Sequence, residues 1–200
     1  AVENMRAIDF DSSDDYGQMA SFSSRGPAGP GDDRVKPDIV EIGTAVYSTK
    51  ADDAAEAELP GLYDEIELID EDSDTIGDYA SLQGTSMACP AAAGDSALVR
   101  DYLVDVLGIG SPHPNIIKNL LIHGAVDMGL GYPSYDQGWG RVNVRNSICP
   151  PAPNTLQWYH HTGISSGNWD ASTQLDLVVI DESVPLKITM SHWDSIGSGT

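Results

Sequence analysis

The chain has 200 residues, of which 40% are hydrophobic, so it can bury a core and is not disordered along its whole length. Its 31 acidic and 10 basic residues give a formal net charge of −21, which argues against nucleic acid and anionic membrane surfaces as partners. No apolar run is long enough to span a membrane, and no basic-then-apolar export signal opens the chain.

The first 50 residues alternate short apolar runs with turn-forming residues. Residues 20–27 (ASFSSRGP) predict the end of a strand in a tight loop. Residues 34–40 (RVKPDIV) predict a short buried strand that begins after Pro37.

Residues 51–78 contain twelve carboxylates and no base. Such a run repels itself, which favours a solvated, mobile loop. Two alternatives stay open: the carboxylate oxygens assemble a structural calcium site, or the acidic, lysine-poor surface is an adaptation to high salt. The spacing does not fit the EF-hand loop, so no metal ligand is assigned.

The next segment, Ser86 to about Leu107, has a helical pattern that is apolar nearly all round. Pro90 fits only the first turn of such a helix, so the helix has to begin close to Ser86. Gly94 is small enough to let another element approach closely. We therefore expect this helix in the middle of a domain, with other layers on both sides.

A second helix is predicted over Asn115–His123. Pro114 lies near its first position, and Gly124 is its expected stop. A loop rich in glycine and proline follows and ends in residues 138–143 (GWGRVN).

Residues 149–153 (CPPAP) predict a stiff linker. Beyond it, residues 174–180 and 184–193 predict two antiparallel strands. Two strands alone do not make a stable sheet, so this part is expected to be the beginning of a further β domain.

The segment with the sharpest chemical meaning is GTSMACP, residues 84–90. A serine at the start of a buried helix has its hydroxyl beside unpaired backbone N–H groups and the positive end of the helix dipole. That environment suits a nucleophile whose reaction develops an oxyanion, although an isolated serine there is most often only a helix cap. Cys89, three residues further on, is expected to be a buried free thiol.

These residues together resemble a known family. GTSMACP followed by AAAG is similar to the active-serine signature of the subtilisin-like serine proteases, or subtilases, GTSMA-x-P-hydrophobic-x-G. Other segments resemble subtilase motifs in the family's order: FSSRGP at 22–27, VKPDIV at 35–40, VYST at 46–49, IKNLLI at 117–122 and GWGRVN at 138–143. Two departures are Glu41-Ile42-Gly43, where the family has APG, and Ala91, where it often has histidine.

The resemblance implies an α/β fold, the doubly wound parallel sheet of subtilisin, followed by the first strands of a β-sandwich. Residues 1–148 would be the C-terminal part of the catalytic domain and 149–172 a proline-rich linker and connector. Residues 173–200 would begin a truncated accessory sandwich, because PLKITMSHWD at 185–194 is similar to a PLKVTLVWTD strand of some long extracellular subtilases.

The resemblance also implies a secreted serine endopeptidase that acts on proteins or peptides and needs no cofactor for its chemistry. Ser86 would be the nucleophile, and its backbone N–H would contribute to the oxyanion hole. The family's triad aspartate and histidine and its oxyanion-hole asparagine precede the point that Ala1 matches, and all five histidines follow Ser86. We therefore expect the chain alone to be inactive. The alternative is a non-catalytic binding or scaffold protein with the same fold.

The acidic segment predicts that stability depends on cations. Between about 0.1 M and about 1 M salt the screening length falls from roughly 10 Å to roughly 3 Å, so repulsion among the twelve carboxylates weakens and the melting temperature should rise. Added calcium should raise it through direct coordination if the calcium alternative holds. A melting temperature that responds to neither addition in calorimetry excludes both alternatives.

Overall fold

The structure, a computed structural model, describes residues 6–9, 18–31, 33–44, 46–49, 64–65, 79–158, 182–183 and 185–191. Six strands and three α-helices lie within these ranges: β1 (Arg6–Asp9), β2 (Gln18–Met19), β3 (Val40–Ile42), β4 (Val46–Thr49), β5 (Asp64–Glu65), β6 (Tyr79–Leu82), α1 (Thr85–Asp101), α2 (Pro114–Gly124) and α3 (Val144–Ile148). A π-helical turn, Tyr102–Val106, continues α1.

The strands form two three-stranded sheets. In the first, of order β2-β1-β3, β1 pairs in parallel with β3 and antiparallel with β2. In the second, of order β4-β6-β5, both pairs are antiparallel. Because β5 belongs to the acidic segment 51–78, that segment contains a short paired strand, whereas a solvated loop was predicted for it. The other residues of the segment lie outside the described ranges.

Helix α1 contacts strands β1 and β3 and helices α2 and α3. The core of the described residues is formed by side chains that are nearly or fully inaccessible, among them Ala88, Ala92, Val99, Leu103, Leu120 and Leu121. Other elements therefore flank this helix, as predicted, but within the described part of the chain they leave some of its surface uncovered. Leu98 is 56% exposed, and no atom lies within 4 Å of a Cβ built on Gly94. The apolar pattern of a helix predicts that its surface is buried, but it does not predict which elements bury it.

The strand that was predicted to begin after Pro37 begins at Val40. Pro37 has no N–H to donate to a neighbouring strand. The backbone around it instead bonds to the loop at 138–142: Trp139 N–H donates to Asp38 O at 2.9 Å, and Val40 N–H donates to Gly140 O at 3.0 Å. This loop fixes the approach to β3.

The second helix is confirmed to within one residue at each end, as α2 runs from Pro114 to Gly124 with the proline in its first turn. Gly124 also serves the packing of α3 against α2, since a Cβ there would overlap Ser147. Within the described part of the chain no helix is long and apolar enough to cross a membrane.

Residues 185–191 do not form the predicted strand, although their apolar and polar residues alternate as in a strand. Their polar groups bond to α2: Lys187 Nζ donates to His123 O at 2.6 Å, and Thr189 Oγ1 lies 3.0 Å from His123 Nδ1. A strand needs a neighbouring strand, and the predicted partner, 174–180, lies outside the described residues.

Gly138 offers a test of the contact between the 138–142 loop and the residues before β3. Its φ of +62° disfavours any side chain, and a Cβ would overlap Pro37 O and Asp38 O. We expect Gly138→Ala to lower the free energy of unfolding by about 3 kcal/mol or more, measured by chemical denaturation. Gly129 is the matched control, since it has a similar φ of +79° but open space around it; Gly129→Ala should cost about 1 kcal/mol. Equal losses for the two variants would contradict the predicted overlap.

Candidate active site

Ser86 lies in the first turn of α1, the helix that starts at Thr85. The residue in the N-cap position is Gly84, with φ of 149°, and no side chain caps the helix. The alternative interpretation of Ser86 as a helix cap is therefore wrong. The positive φ favours glycine at position 84, because a side chain there would be strained even though its Cβ would make only ordinary van der Waals contacts.

The start of α1 is tied to the end of β3. Gly84 N–H donates to Gly43 O at 2.7 Å, and the N–H groups of Met87 and Ala88 both bond to Gly84 O. The N–H groups of Thr85 and Ser86 lie in the first turn, where the helix has no carbonyl four residues earlier that could accept their hydrogen bonds. They remain available to an anion at the positive end of the helix dipole.

The side chains in this turn differ in exposure. Ser86 is exposed and Met87 is half-buried, with its Sδ 3.7 Å from the position a Cβ on Gly84 would take. Cys89 was expected to be buried, but it is an exposed free thiol, because it lies on the uncovered side of α1. Ser86 is thus the accessible hydroxyl of the turn, with Met87 packed beneath the backbone next to it.

A lysine–aspartate cluster secures the segment that leads into β3. Asp38 accepts from Lys36 Nζ at 2.6 Å and from Lys118 Nζ at 2.9 Å. Lys118 belongs to α2, so the two ion pairs join the β3 approach to this helix. The sequence motif that contains Lys36 and Asp38 predicted a strand only. The ion pair from Asp38 to Lys118 of α2 was not predicted from the sequence.

Two histidines lie in the described ranges, and neither bonds to Ser86. His113 Nδ1 accepts from Asn115 N–H at the start of α2. His123 lies beside Thr189, and burial together with the nearby Lys187 ammonium lowers the pKa of this imidazole below its usual value. The described residues therefore bring no general base to the serine.

No group of three or more His, Cys, Asp or Glu side chains that could hold a metal ion occurs within the described ranges. The acidic segment for which calcium was considered contributes only Asp64 and Glu65 to these ranges. Calcium binding stays a prediction.

A sequence profile of the subtilase family matches residues 4–140, a span that contains Ser86 and most of the elements described above. The chain belongs to the subtilase family. This is a family of serine peptidases, and it supports the α/β fold that the sequence predicted.

Individual relatives match over similar spans. Serine protease AprX of Bacillus subtilis (strain 168) is 34% identical over 136 residues, which cover 68% of this chain and 26% of the relative. Subtilisin-like protease SBT4.4 of Arabidopsis thaliana is 29% identical over 176 residues, covering 84% of this chain and 21% of the relative. The chain therefore spans about a quarter of these relatives. Among solved structures, the match with fervidolysin from Fervidobacterium pennivorans covers 74% of this chain and 19% of the fervidolysin chain, with 24% identity and a TM-score of 0.48.

Met87 provides a test of the site's geometry. Oxidation would convert its half-buried thioether into a polar sulfoxide beside Gly84. In the whole protein that contains this chain, this should displace the turn that carries Ser86 and lower the expected peptidase activity without unfolding. Peroxide treatment followed by peptide mapping and activity assay measures this effect. Met87→Leu is the control, because it should make the activity insensitive to peroxide. Full activity after complete oxidation of Met87 would contradict the prediction.

Proposed function

We propose that the chain is the serine-bearing part of a secreted serine endopeptidase in which Ser86 is the nucleophile. One observation carries this proposal: Ser86 is exposed in the first turn of a 17-residue helix that no side chain of the described residues caps, where its N–H has no intrahelical acceptor. Family membership gives that observation its chemical meaning.

In the proposed reaction, Ser86 Oγ attacks the carbonyl carbon of a peptide bond while a general base takes its proton. The carbonyl oxygen becomes an oxyanion that accepts a hydrogen bond from Ser86 N–H, favoured by the dipole of α1. The tetrahedral intermediate collapses as the C–N bond breaks, and the base returns the proton to the leaving amine. Water then hydrolyses the acyl-enzyme by the same route and restores the hydroxyl.

The general base, its aspartate partner and a second oxyanion donor would come from residues that precede Ala1 in the whole protein. His113 and His123 bond elsewhere, which supports this part of the proposal. The same residues would supply the rest of a doubly wound parallel sheet and cover the open face of α1, where Leu98 is exposed. The 200-residue chain alone would then be inactive.

The accessory β-sandwich is proposed to begin in residues 173–200. In the described part of this segment, Lys187, Thr189 and Ser191 bond to α2. The alternating Leu186, Ile188 and Met190 are 69%, 70% and 84% exposed. An extended segment with one polar face bound and one apolar face uncovered is suited to contribute that apolar face to a sandwich core.

The substrates of the whole enzyme would be proteins or peptides, processed outside the cell. The net charge of −21 disfavours nucleic acids and anionic membranes as partners. The chemistry needs no cofactor, and calcium would act only on stability, through the acidic segment.

A non-catalytic scaffold is the second candidate function. An intact GTSMACP segment speaks against it, since a protein that has lost its chemistry gains nothing from a nucleophile at this position. Hydrolysis of a peptide substrate by the protein that contains this chain separates the two candidates.

Ser86→Ala in that protein should abolish peptide hydrolysis and leave the fold intact. Loss of the nucleophile lowers kcat of subtilisin itself by about 10⁶-fold, and a similar loss is expected here. Ser96→Ala is the matched control, because Ser96 lies further along α1 and only donates to Ala92 O; this variant should stay active. Activity of the Ser86→Ala variant above about one per cent of wild type would contradict the assignment.

A further inference from the structure

His123, in the last turn of α2, holds the segment 185–191 with both its backbone and its side chain. Its carbonyl oxygen accepts from Lys187 Nζ at 2.6 Å, and its Nδ1 lies 3.0 Å from Thr189 Oγ1, within hydrogen-bond distance. The two partners stand at alternating positions of the segment, more than 60 residues further along the chain. One residue of the helix therefore binds two side chains of a remote segment.

The ammonium group of Lys187 has a second partner beside the helix. It lies 5.1 Å from the centroid of the Tyr132 ring, and that ring packs edge-on against Trp139 with 5.6 Å between the centroids. An aromatic face attracts a cation through the ring quadrupole. A backbone carbonyl and a ring thus hold this positive charge next to His123.

The surroundings of the imidazole favour its neutral form. His123 is half-buried, and burial together with the Lys187 ammonium lowers the pKa of its side chain. Helices α1 and α3 also pack against α2, but within the described residues neither contributes a charge that shifts this pKa. The negative end of the α2 dipole would by itself favour an imidazolium, but Lys187 already binds the carbonyl there.

We propose that His123 is a pH-dependent clasp, which holds the segment 185–191 on α2 at neutral and alkaline pH and weakens in acid. A neutral imidazole bonds to the Thr189 hydroxyl as donor or acceptor, according to its tautomer, whereas an imidazolium can only donate. The imidazolium also repels the Lys187 ammonium, which is bound to the same residue. Protonation therefore weakens both contacts that His123 makes with the segment.

The direction follows from linkage. The imidazole is harder to protonate when the segment is docked than when it is released, so acid favours release. The contribution of the clasp is complete above the ordinary histidine pKa of about 6.5 and is lost as pH falls through that value toward the lowered one. Below the lowered pKa there is no further loss, because the imidazole is then charged in both states.

The test is amide hydrogen exchange of residues 186–191 in the protein that contains this chain, measured by mass spectrometry between about pH 5 and pH 8. Wild type is compared with His123→Asn, because asparagine keeps a hydrogen-bonding group near the position of Nδ1 but does not titrate. The ratio of the two exchange rates removes the intrinsic pH dependence, which both proteins share. We expect the wild-type rate, relative to the variant, to be constant above about pH 7.5 and to rise by up to about tenfold per pH unit as pH falls below about 6.5.

Ser191→Ala is the matched control, because Ser191 donates to Asn115 O at 3.4 Å in the same interface but has no titratable group. The exchange rate of this variant relative to wild type should not change with pH.

A second measurement follows the proton itself and also serves if His123→Asn fails to fold. In an NMR titration, Lys187→Met should raise the pKa of His123, because it removes the neighbouring charge, while Lys187→Arg should keep that pKa low. A ratio for His123→Asn that is constant with pH, an equal pH dependence for Ser191→Ala, or an unchanged His123 pKa in Lys187→Met overturns the proposal. None of these measurements involves catalysis, so their outcome is independent of the proposed function.

Discussion

The hydrogen bond from Gly84 N–H to Gly43 O fixes the position of the first turn of α1, which carries Ser86. It joins the residue that follows strand β3 to the N-cap residue of a 17-residue helix, and the helix can begin there because glycine tolerates the φ of 149°. Ser86 follows two residues later, exposed and beside its own unpaired N–H. Any displacement of β3 would therefore move the serine as well.

Strand β3 is in turn held from two directions. The loop at 138–142 bonds to its backbone. The ion pairs of Asp38 with Lys36 and Lys118 attach the segment that leads into β3 to helix α2.

Local chemistry determined which features could be predicted from the sequence. Pro114 restricts where a helix can begin, so α2 was predicted closely. Helix α1 begins at Thr85, next to the predicted start, but Pro90 lies inside the helix and not in its first turn, where it was predicted. Exposure depends on which elements cover a surface, so the burial of Cys89 was predicted wrongly.

Active-site labelling tests the central claim most directly. The protein that contains this chain should react with a fluorophosphonate serine probe, and peptide mapping should find one adduct, on Ser86. The 200-residue chain alone should remain unlabelled, because the described residues place no histidine beside the serine, and a serine hydroxyl without a base is a weak nucleophile. An adduct on another serine of the active protein, or stoichiometric labelling of Ser86 in the isolated chain, would contradict the account.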